Sequence, residues 1–521
     1  MKKRLTLALV IMAVLSLAPF TARALTITGI TPDSGPAAGG TIVTITGDFT
    51  FGNVDAGGNS SCVISLEGKA YCWGQNQNGQ LGDGTYIDRP VPVAVDDSGV
   101  LAGKTLVKIA SSYDHTCALD SDGKAYCWGD GWYGQLGDDA AGLGSGSTVP
   151  VAVNTSGALA GKFLVDINND YAHTCALDSE GALYCWGRNI EGQLGNGTNF
   201  DSAVPVALST SGPLAGMKII EIVAGYLHSC ALTSGSQVYC WGWNGNGQFG
   251  NGTYTDSNVP VPIDMSGVLD GKTLVKMTSA YRHVCVLDSD GLAYCWGANY
   301  DGELGDGTYV TNPFPVAVDT SGVLNGKKLI EISLADYHTC ALDDQGKAYC
   351  WGDNGTGDLG DGTTVPNSPL PVEVNTSGAL NNKILTQLSS GWQHTCAVDV
   401  EGYIYCWGYG YYGSLGDNNF TNSNLPVRPH TISDSTGSEL PDPVVLPLAV
   451  IFDQSGSPAA CTGVVVAPNK KSLTCTTTAH FAGLVDVAVD NSVNTYTLAR
   501  GFRYIDIDAP VIPGVPNTGT T

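Results

Sequence analysis

The chain has 521 residues, of which 68 are glycine and 25 are proline, and only 14% are charged. This composition suits many short strands joined by tight turns and argues against an all-helical fold. With 49 acidic against 24 basic side chains, the chain repels phosphate backbones and anionic lipid surfaces, so nucleic acid is not an expected partner.

The first 24 residues have the parts of a secretory signal peptide. A basic start, KKR, precedes an apolar run over 5–20, and Ala22 and Ala24 are spaced as a cleavage site. A membrane anchor is the alternative, but the run is short for a span. We predict removal of residues 1–24, which leaves 20 basic and 49 acidic side chains, a net charge of −29. The mature chain then has no membrane span and is extracellular or on the cell surface.

Residues 25–49, LTITGITPDSGPAAGGTIVTITGDF, come next. They resemble the start of a TIG domain, an immunoglobulin-like β-sandwich that opens I-x-x-I-x-P-x-x-G-x-x-x-G-G-x-x-V-T-I-x-G. The later strands of such a domain do not follow here. We expect 25–52 to be the first part of a sandwich that is completed elsewhere in the chain.

From about residue 53, two cysteines ten positions apart recur seven times at a step of 55 to 58 residues. Trp-Gly follows the second cysteine in every copy, and Leu-Gly or Phe-Gly begins nine residues after that cysteine. Self-similarity at this period predicts a closed propeller or an open solenoid. The pairs are Cys62 and Cys72, Cys117 and Cys127, Cys175 and Cys185, Cys230 and Cys240, Cys285 and Cys295, Cys340 and Cys350, and Cys396 and Cys406.

Each copy reads as four strands, which are LVKIASS, HTCAL, KAYCWG and PVAV in the second copy. Asp-Gly and Asn-Gly pairs fall between the apolar runs, as expected for tight turns. The second and third strands are apolar on both faces, so each sheet needs cover on both sides. Neighbouring units stacked as blades would provide that cover.

The repeated pattern G-x-x-H-[ST]-x-A-L-x-x-x-G-x-x-Y-x-W-G-x-N-x-x-G-Q-L-G resembles the regulator of chromosome condensation repeat. The resemblance covers about residues 53–433 and implies a seven-bladed β-propeller. Members that exchange nucleotide on the small GTPase Ran are nuclear, and their chromatin binding needs a basic tail that this sequence lacks. Other members are secreted bacterial proteins, including a propeller-type inhibitor of β-lactamases, and this chain is similar to the secreted kind.

The cysteine pairs predict one disulfide per blade. A hairpin centred on Asp122 places Cys117 opposite Cys127, within bonding reach. Zinc is the alternative, because His115 lies two residues before Cys117, but the spacing is unusual for zinc and no fourth ligand recurs. The similar family keeps this histidine without cysteines. We expect no metal, no cofactor, and a structural histidine whose ring nitrogens bond backbone groups between blades. Ser60 replaces it in the first copy.

Residues 441–508 resemble the later strands of the TIG family. We therefore predict an all-β chain in which a propeller, residues 53–433, is inserted into a sandwich formed by 25–52 and 441–508. A closed ring permits this because its first and last strands meet. Cys461 and Cys475 are predicted to form an eighth disulfide. In the proline-rich tail 509–521, VPNTG resembles a sortase signal; a plain linker or a chain cut short is the alternative.

The propeller topology places two sets of loops on one face. We call the loops between first and second strands, and between third and fourth strands, the aromatic face. The hairpins between second and third strands and the connectors between blades form the hairpin face. Loops on rigid scaffolds often carry recognition, and tyrosine and tryptophan dominate binding hot spots. The alternative is that these rings fill the channel or pack against neighbouring loops. The predicted partner-binding residues are Tyr113, Trp132, Tyr133, Tyr171, Tyr226, Trp243, Tyr281, Tyr300, Trp392, Tyr409, Tyr411 and Tyr412.

Catalytic motifs are missing from the sequence. There is no G-x-S-x-G, P-loop or H-E-x-x-H pattern, and the aspartates recur in turns where they serve the backbone. We predict no catalytic residue and no enzyme activity. The predicted function is that of a monomeric, secreted or cell-surface protein that binds an extracellular protein through the aromatic face. The alternatives are an inhibitor of a secreted enzyme and a module that binds or degrades a glycan.

Overall fold

The computed structural model describes residues 53–430, apart from 66, 140–144 and 210–212, and the backbone of strands on either side. The signal peptide and the proline-rich tail are predicted within 1–25 and 506–521, which lie outside the described residues. The side chains of Cys461 and Cys475 also lie outside them. The strands before and after the propeller are Thr26–Thr31, Ser34–Pro36, Ile42–Asp48, Ala449–Asp453, Ala459–Val466, Ser472–Thr477, Gly483–Asp490 and Thr495–Ile505.

Residues 53–430 form seven four-stranded antiparallel sheets, each made from four consecutive strands of the chain. The first strands of successive blades contact one another, and the first strand of the seventh blade contacts that of the first blade. These contacts close a ring in which the first strands are innermost and the fourth strands form the outer edge. The all-β, seven-bladed propeller predicted from the repeats is confirmed.

The strands of the seven blades have closely similar bounds. The first strands are Asn53–Ala56, Leu106–Ser111, Leu164–Asp170, Ile219–Ala224, Leu274–Ser279, Leu329–Leu334 and Leu385–Ser390. The second are Ser60–Ile64, His115–Asp120, His173–Asp178, His228–Thr233, His283–Asp288, His338–Asp343 and His394–Asp399. The third are Ala70–Gly74, Ala125–Gly129, Leu183–Gly187, Val238–Gly242, Ala293–Gly297, Ala348–Asp353 and Ile404–Gly408. The fourth are Arg89–Ala94, Ser147–Ala152, Ser202–Ala207, Ser257–Pro262, Asn312–Ala317, Asn367–Glu373 and Ser423–Val427.

A disulfide joins the second and third strands of every blade. Cys117 lies directly opposite Cys127, with their Cα atoms 4.1 Å apart. The other six pairs have the same register and the same separation. Residues directly opposite in antiparallel strands bring their Cβ atoms close enough for this bond. The seven predicted pairs are confirmed at disulfide distance, and no described cysteine is left free to bind zinc.

An aspartate at the end of the second strand fixes the hairpin turn. In the second blade, Asp120 Oδ1 accepts hydrogen bonds from the backbone N–H groups of Asp122 and Lys124, each at 2.9 Å. Its Oδ2 accepts the hydroxyl of Tyr126 at 2.9 Å and pairs with Lys104 Nζ at 3.1 Å. Such turn-capping bonds explain the recurring aspartates without a catalytic role. The equivalents are Asp178, Asp288, Asp343 and Asp399.

The Trp-Gly and Gln-Leu-Gly motifs meet between neighbouring blades. Trp128 Nε1 donates to the carbonyl oxygen of Gln80 in the preceding blade at 2.9 Å. Gly82 has a positive φ of 68°, and a Cβ there would lie 2.8 Å from Trp128 Nε1, so only glycine fits. The same indole contact is made in all seven blades, and Trp73 makes it across the ring junction to Ser414 O at 2.8 Å.

Six buried histidines, one in each of the second to seventh blades, bridge their own blade to the next. His173 Nε2 lies 2.9 Å from Ser229 Oγ, the hydroxyl that follows the histidine of the next blade. Where that residue is Val284, Ser279 takes its place at 2.8 Å from His228 Nε2. The structural role is as predicted, but the recurring partner is a hydroxyl rather than a backbone group, because the strand ladders already use the backbone. Burial lowers the pKa of His173 to about 3, so the ring is neutral at ordinary pH.

The strands before the propeller pair with those after it. Ile42–Asp48 pairs antiparallel with Ser472–Thr477, and Ser34–Pro36 pairs in parallel with Thr495–Ile505. The eight described strands outside the ring form one connected sheet. Among the described residues the helical structure is one 3-10 turn, Gly267–Leu269. None of the described helical structure has the length and apolar character of a membrane span.

Candidate interaction face

Aromatic side chains of the loops between first and second strands meet at the mouth of the channel. The ring centroids of Tyr171 and Tyr226 are 4.3 Å apart, and those of Tyr226 and Tyr281 are 4.2 Å apart. Tyr113 lies 6.4 Å from Tyr171, Tyr226 and Trp392, measured between ring centroids. These five predicted residues therefore form one inner cluster. They are partly buried by one another rather than fully exposed.

Tyr113 spans the channel. Its hydroxyl donates a hydrogen bond to the carboxylate of Asp336, which belongs to the sixth blade, whereas Tyr113 belongs to the second. Below them lies a cavity of about 130 Å³, lined partly by Asp55, Asp170 and serine residues. Burial raises the pKa of Asp170 to about 7 and raises that of Asp336 well above its usual range. The inner cluster thus closes this end of the channel over buried carboxyl groups.

Two arginines stack on tyrosines of the aromatic face. The guanidinium of Arg188 lies 5.2 Å from the ring centroid of Tyr133 and 5.9 Å from that of Tyr171. Arg282 lies 4.3 Å from the ring centroid of Tyr281. Both arrangements have the geometry of cation–π contacts. The aromatic face therefore already holds cations over some of its rings.

The loops between third and fourth strands carry the most exposed of the predicted residues. Trp132 is 64% exposed, Tyr300 57% and Tyr411 62%, and Ile190 at the equivalent position is 53% exposed. Tyr133, Trp243, Tyr409 and Tyr412 in the same loops are partly buried. The ring of Tyr409 lies 5.9 Å from Trp392 and 6.2 Å from Tyr411, so the loop of the seventh blade continues the inner cluster outward.

A further set of exposed apolar residues was missed by the sequence reasoning. They lie later in the same loops, just before the fourth strand, and Phe200 is the most exposed at 80%. The signal for them is their fixed position, 14 or 15 residues after the second cysteine of a blade. The side chain of a buried asparagine donates hydrogen bonds to the backbone of these loops; Asn189 Nδ2, for example, donates to Phe200 O at 3.0 Å. The set is Tyr86, Ile87, Phe200, Tyr254, Tyr309, Val310, Val365 and Phe420.

Charge is distributed unequally between the two faces. Of the charged residues in 53–430, the aromatic face carries 18 acidic residues, three arginines and no lysine, whereas the hairpin face carries 17 acidic and 11 basic residues. The other six lie on the innermost strands. The acidic residues of the aromatic face are Asp83, Asp88, Asp114, Asp130, Asp138, Asp139, Asp170, Glu191, Asp201, Asp256, Asp301, Glu303, Asp306, Asp336, Asp353, Asp358, Asp361 and Asp417.

Ion pairing follows the same division. On the hairpin face, lysines pair with the turn aspartates, as Lys162 does with Asp178 at 3.1 Å. Within the described residues, Arg89 with Asp83 at 2.8 Å is the one ion pair of the aromatic face. The negative charge of the aromatic face is therefore mostly not neutralised by partners of its own.

Two buried acids on the aromatic face replace a glutamine of other blades. Glu303 Oε2 accepts the backbone N–H of Asp301 at 2.9 Å, just as Gln248 Oε1 accepts that of Asn246 at 2.8 Å. Asp358 holds the same position in the sixth blade, and burial raises the pKa of both acids to about 7. Sequence shows the replacement, but only the structure shows that these carboxyl groups are buried.

Within the described residues, no group of three or more His, Cys, Asp and Glu side chains is arranged to hold a metal ion. The acidic side chains of the aromatic face are spread over separate loops. What the arrangement offers chemically is a broad surface of aromatic rings, apolar side chains and carboxylates on a rigid ring. Such a surface is suited to contact with another macromolecule.

Comparison with known families gives three matches. Residues 32–325 match the family described as RCC1-like domain, and residues 345–398 match the regulator of chromosome condensation (RCC1) repeat. A second description of the RCC1 repeat matches 330–358 and 385–414. The matches lie within the seven blades, except that the first begins earlier.

Among individual proteins, the chain is 33% identical over 371 residues to the ultraviolet-B receptor UVR8 of Arabidopsis thaliana, covering 71% of this chain and 79% of that protein. It is 31% identical over 355 residues to the E3 ubiquitin-protein ligase HERC2 of Homo sapiens, covering 66% of this chain but only 7% of that protein.

Solved structures share the fold. Human WBSCR16 superposes with a TM-score of 0.61 at 20% identity, covering 70% of this chain and 94% of that one. Yeast RCC1 (Prp20), in its crystal structure bound to Kap60, superposes with a TM-score of 0.60 at 20% identity, covering 80% of this chain and 90% of that one.

Proposed function

Because the chain belongs to the RCC1-like domain family of β-propellers, we propose that it binds a protein partner through the aromatic face as a secreted or cell-surface protein. The observation that carries this proposal is the exposure of Trp132, Tyr300 and Tyr411 on loops held by a rigid ring. Exposed aromatic residues supply large contact area at low entropy cost. Yeast RCC1, which shares the fold, is itself bound to a protein, Kap60, in its crystal structure.

The disulfides support an extracellular location. Seven bonds, one in every blade, persist in an oxidising compartment and are rare where thiols are kept reduced. The apolar segment near the start of the chain is then the export signal. With a mature net charge of −29, the protein stays soluble and avoids anionic partners. We expect it to act as a monomer and without catalysis.

We further propose that the strands outside the ring form a split TIG domain. The pairing of Ile42–Asp48 with Ser472–Thr477 supports this, because it joins the two segments whose sequences resemble the beginning and the end of that domain. In this arrangement the propeller begins and ends on the hairpin face, next to the TIG domain. The aromatic face is left open to a partner.

The test is affinity capture with the mature chain, residues 25–521, from the medium and surface proteins of its native surroundings. The variant Trp132→Ala, Tyr300→Ala, Tyr411→Ala should capture at least tenfold less of the partner than wild type, because exposed aromatic anchors carry most of the energy of an interface. The matched control is Val100→Ala, Val268→Ala, Val323→Ala, which removes residues that are each 41% exposed on the hairpin face.

Equal capture by both triple variants would contradict the proposal. A glycan array probed with the same three proteins separates the remaining alternative. Binding to a glycan that is lost in the aromatic triple variant would assign the face to a sugar instead of a protein.

A further inference from the structure

We infer that the partner of the aromatic face is a basic protein whose cationic side chains bind at two places on this face, each built on a loop that carries an exposed ring within two residues of an aspartate. This inference rests on the proposed function and adds the chemistry of the partner. The two places are the blade 2 site, Trp132 with Asp114 and Asp130, and the blade 5–6 site, Tyr300 with Asp301 and Asp353.

Charge complementarity favours a basic partner. The aromatic face has 18 acidic residues, of which 14 remain after setting aside the buried acids with strongly raised pKa values, Asp170, Glu303, Asp336 and Asp358. It has three arginines, and two of them, Arg188 and Arg282, are already stacked on its own tyrosines. The third, Arg89, is paired with Asp83. A partner with basic groups would approach this face down the electrostatic potential, whereas an acidic partner would be repelled.

The blade 2 site combines an open ring with two coupled carboxyl groups. Asp130 Oδ1 accepts the backbone N–H of Trp132 at 3.2 Å, which fixes the carboxylate against the backbone of the loop that carries the exposed indole. Burial, and then the charge of Asp130, raise the pKa of Asp114 to about 6. The two acids are therefore close enough to repel each other, and none of the ion pairs in the described residues neutralises them. A lysine or arginine from a partner would relieve that repulsion while lying over Trp132.

The blade 5–6 site places an exposed ring and acidic residues on another part of the propeller, where Asp301 Oδ1 accepts a hydrogen bond from Asn367 Nδ2 of the sixth blade at 2.8 Å. Tyr300 is held toward the fourth blade by its hydroxyl, which donates to Asn246 Oδ1 at 3.2 Å. Burial, and then the charge of Asp353, raise the pKa of its neighbour Asp301. The buried Glu303 adds negative charge above its pKa of about 7, at a position where four other blades have a neutral glutamine.

Two arginines of the aromatic face already make cation–π contacts with its tyrosines. Arg188 lies over Tyr133 and Tyr171, and Arg282 over Tyr281. In the described residues no cation lies over Trp132 or Tyr300, which are the more exposed rings. These two exposed rings, on loops that also carry Asp130 and Asp301, are the positions that a cation from a partner would contact.

The experiment uses fluorescent deca-lysine as probe and deca-glutamate as its acidic counterpart, with fluorescence anisotropy of the mature chain at 50 and 200 mM NaCl. The test variant is Asp114→Asn, Asp130→Asn, Asp301→Asn, Asp353→Asn. The control, Asp122→Asn, Glu180→Gln, Asp290→Asn, Glu401→Gln, makes the same change in net charge on the hairpin face. A third variant, Trp132→Ala, Tyr300→Ala, leaves all charges in place.

We expect wild type to bind deca-lysine and not deca-glutamate. The aromatic-face charge variant should weaken deca-lysine binding at least tenfold, the ring variant at least threefold, and the hairpin-face control less than twofold. Equal weakening by both charge variants, or full binding by the ring variant, would overturn the inference. Loss of the native partner in the aromatic triple variant, without any change of deca-lysine binding, would keep the proposed function and reject only its basic partner.

Discussion

The two faces of the propeller use the same repeat in opposite ways. On the hairpin face five of the seven blades repeat an aspartate, a tyrosine and a lysine that satisfy one another, as in the set of Asp178, Tyr184 and Lys162. On the aromatic face the corresponding loops differ between blades, expose rings, and hold carboxylates such as Asp114 and Asp130 by hydrogen bonds from amide groups instead of by lysines. The comparison teaches that residues which repeat build the ring, whereas residues which depart from the repeat are free to serve recognition.

The largest expected effect comes from breaking a contact between blades. His173→Ala should lower the free energy of unfolding by about 2–4 kcal/mol, because it removes a buried ring and leaves the hydroxyl of Ser229 without that partner. Urea unfolding measures it. Ser60→Ala is the matched control, since Ser60 holds the position of the histidine in the first blade and its buried hydroxyl has no partner in the described residues. It should cost less than about 0.5 kcal/mol. Similar losses in both variants would refute the bridging role.

An effect of intermediate size, which depends on pH, is expected at the buried Glu303. Glu303→Gln restores the residue of four other blades and should raise the free energy of unfolding by about 1–3 kcal/mol at pH 8. The folded pKa of about 7 lies above that of an unfolded glutamate. The folded chain therefore holds more protons between roughly pH 4 and pH 7, and stability falls as pH rises through this window.

At pH 4 the gain from Glu303→Gln should vanish, because the glutamate is then protonated in the fold. Urea unfolding at pH 4 and pH 8 measures both values. The reverse change, Gln248→Glu in the fourth blade, should lose stability at pH 8 by a similar amount. A gain that is independent of pH would show that shape rather than charge distinguishes the two residues.

The smallest effect on stability is expected at an exposed ring. Tyr411→Ala removes a side chain that is 62% exposed, so the free energy of unfolding should change by less than about 0.5 kcal/mol. Thermal or urea unfolding checks this value. A loss above about 1 kcal/mol would mean that Tyr411 supports the inner cluster through Tyr409 and Tyr412, and belongs with the scaffold instead.

Much of the ring could be predicted from the sequence because its rules are local and repeat. The position of Cys117 opposite Cys127 follows from counting residues outward from the turn at Asp122, and all seven copies of the repeat give the same pairing. The number of blades follows from the seven copies, whereas closure of the ring was implied by the resemblance to the regulator of chromosome condensation repeat, because the period alone also allows an open solenoid. The pairing of Trp128 with Gln80 was not predicted, because that contact joins different blades and depends on how they stack.

The site was less predictable for a related physical reason. The contact of Tyr113 with Asp336 spans 223 positions and exists only because the ring closes. Sequence showed which loops carry rings, but whether a ring lies in the inner cluster or in solvent depends on neighbours from other blades. The apolar set around Phe200 was overlooked because it lies among residues typical of turns, where side chains are not expected to matter.

Every blade, including the first and the seventh, is formed by four strands that are consecutive in the chain. The junction between these two blades uses the same indole contact as the other six, that of Trp73 Nε1 with Ser414 O at 2.8 Å. None of the seven described sheets takes a strand from a distant part of the chain to close the ring. The place where the chain enters the ring is therefore arbitrary, and a circularly permuted gene that starts in any connector would encode the same seven sheets.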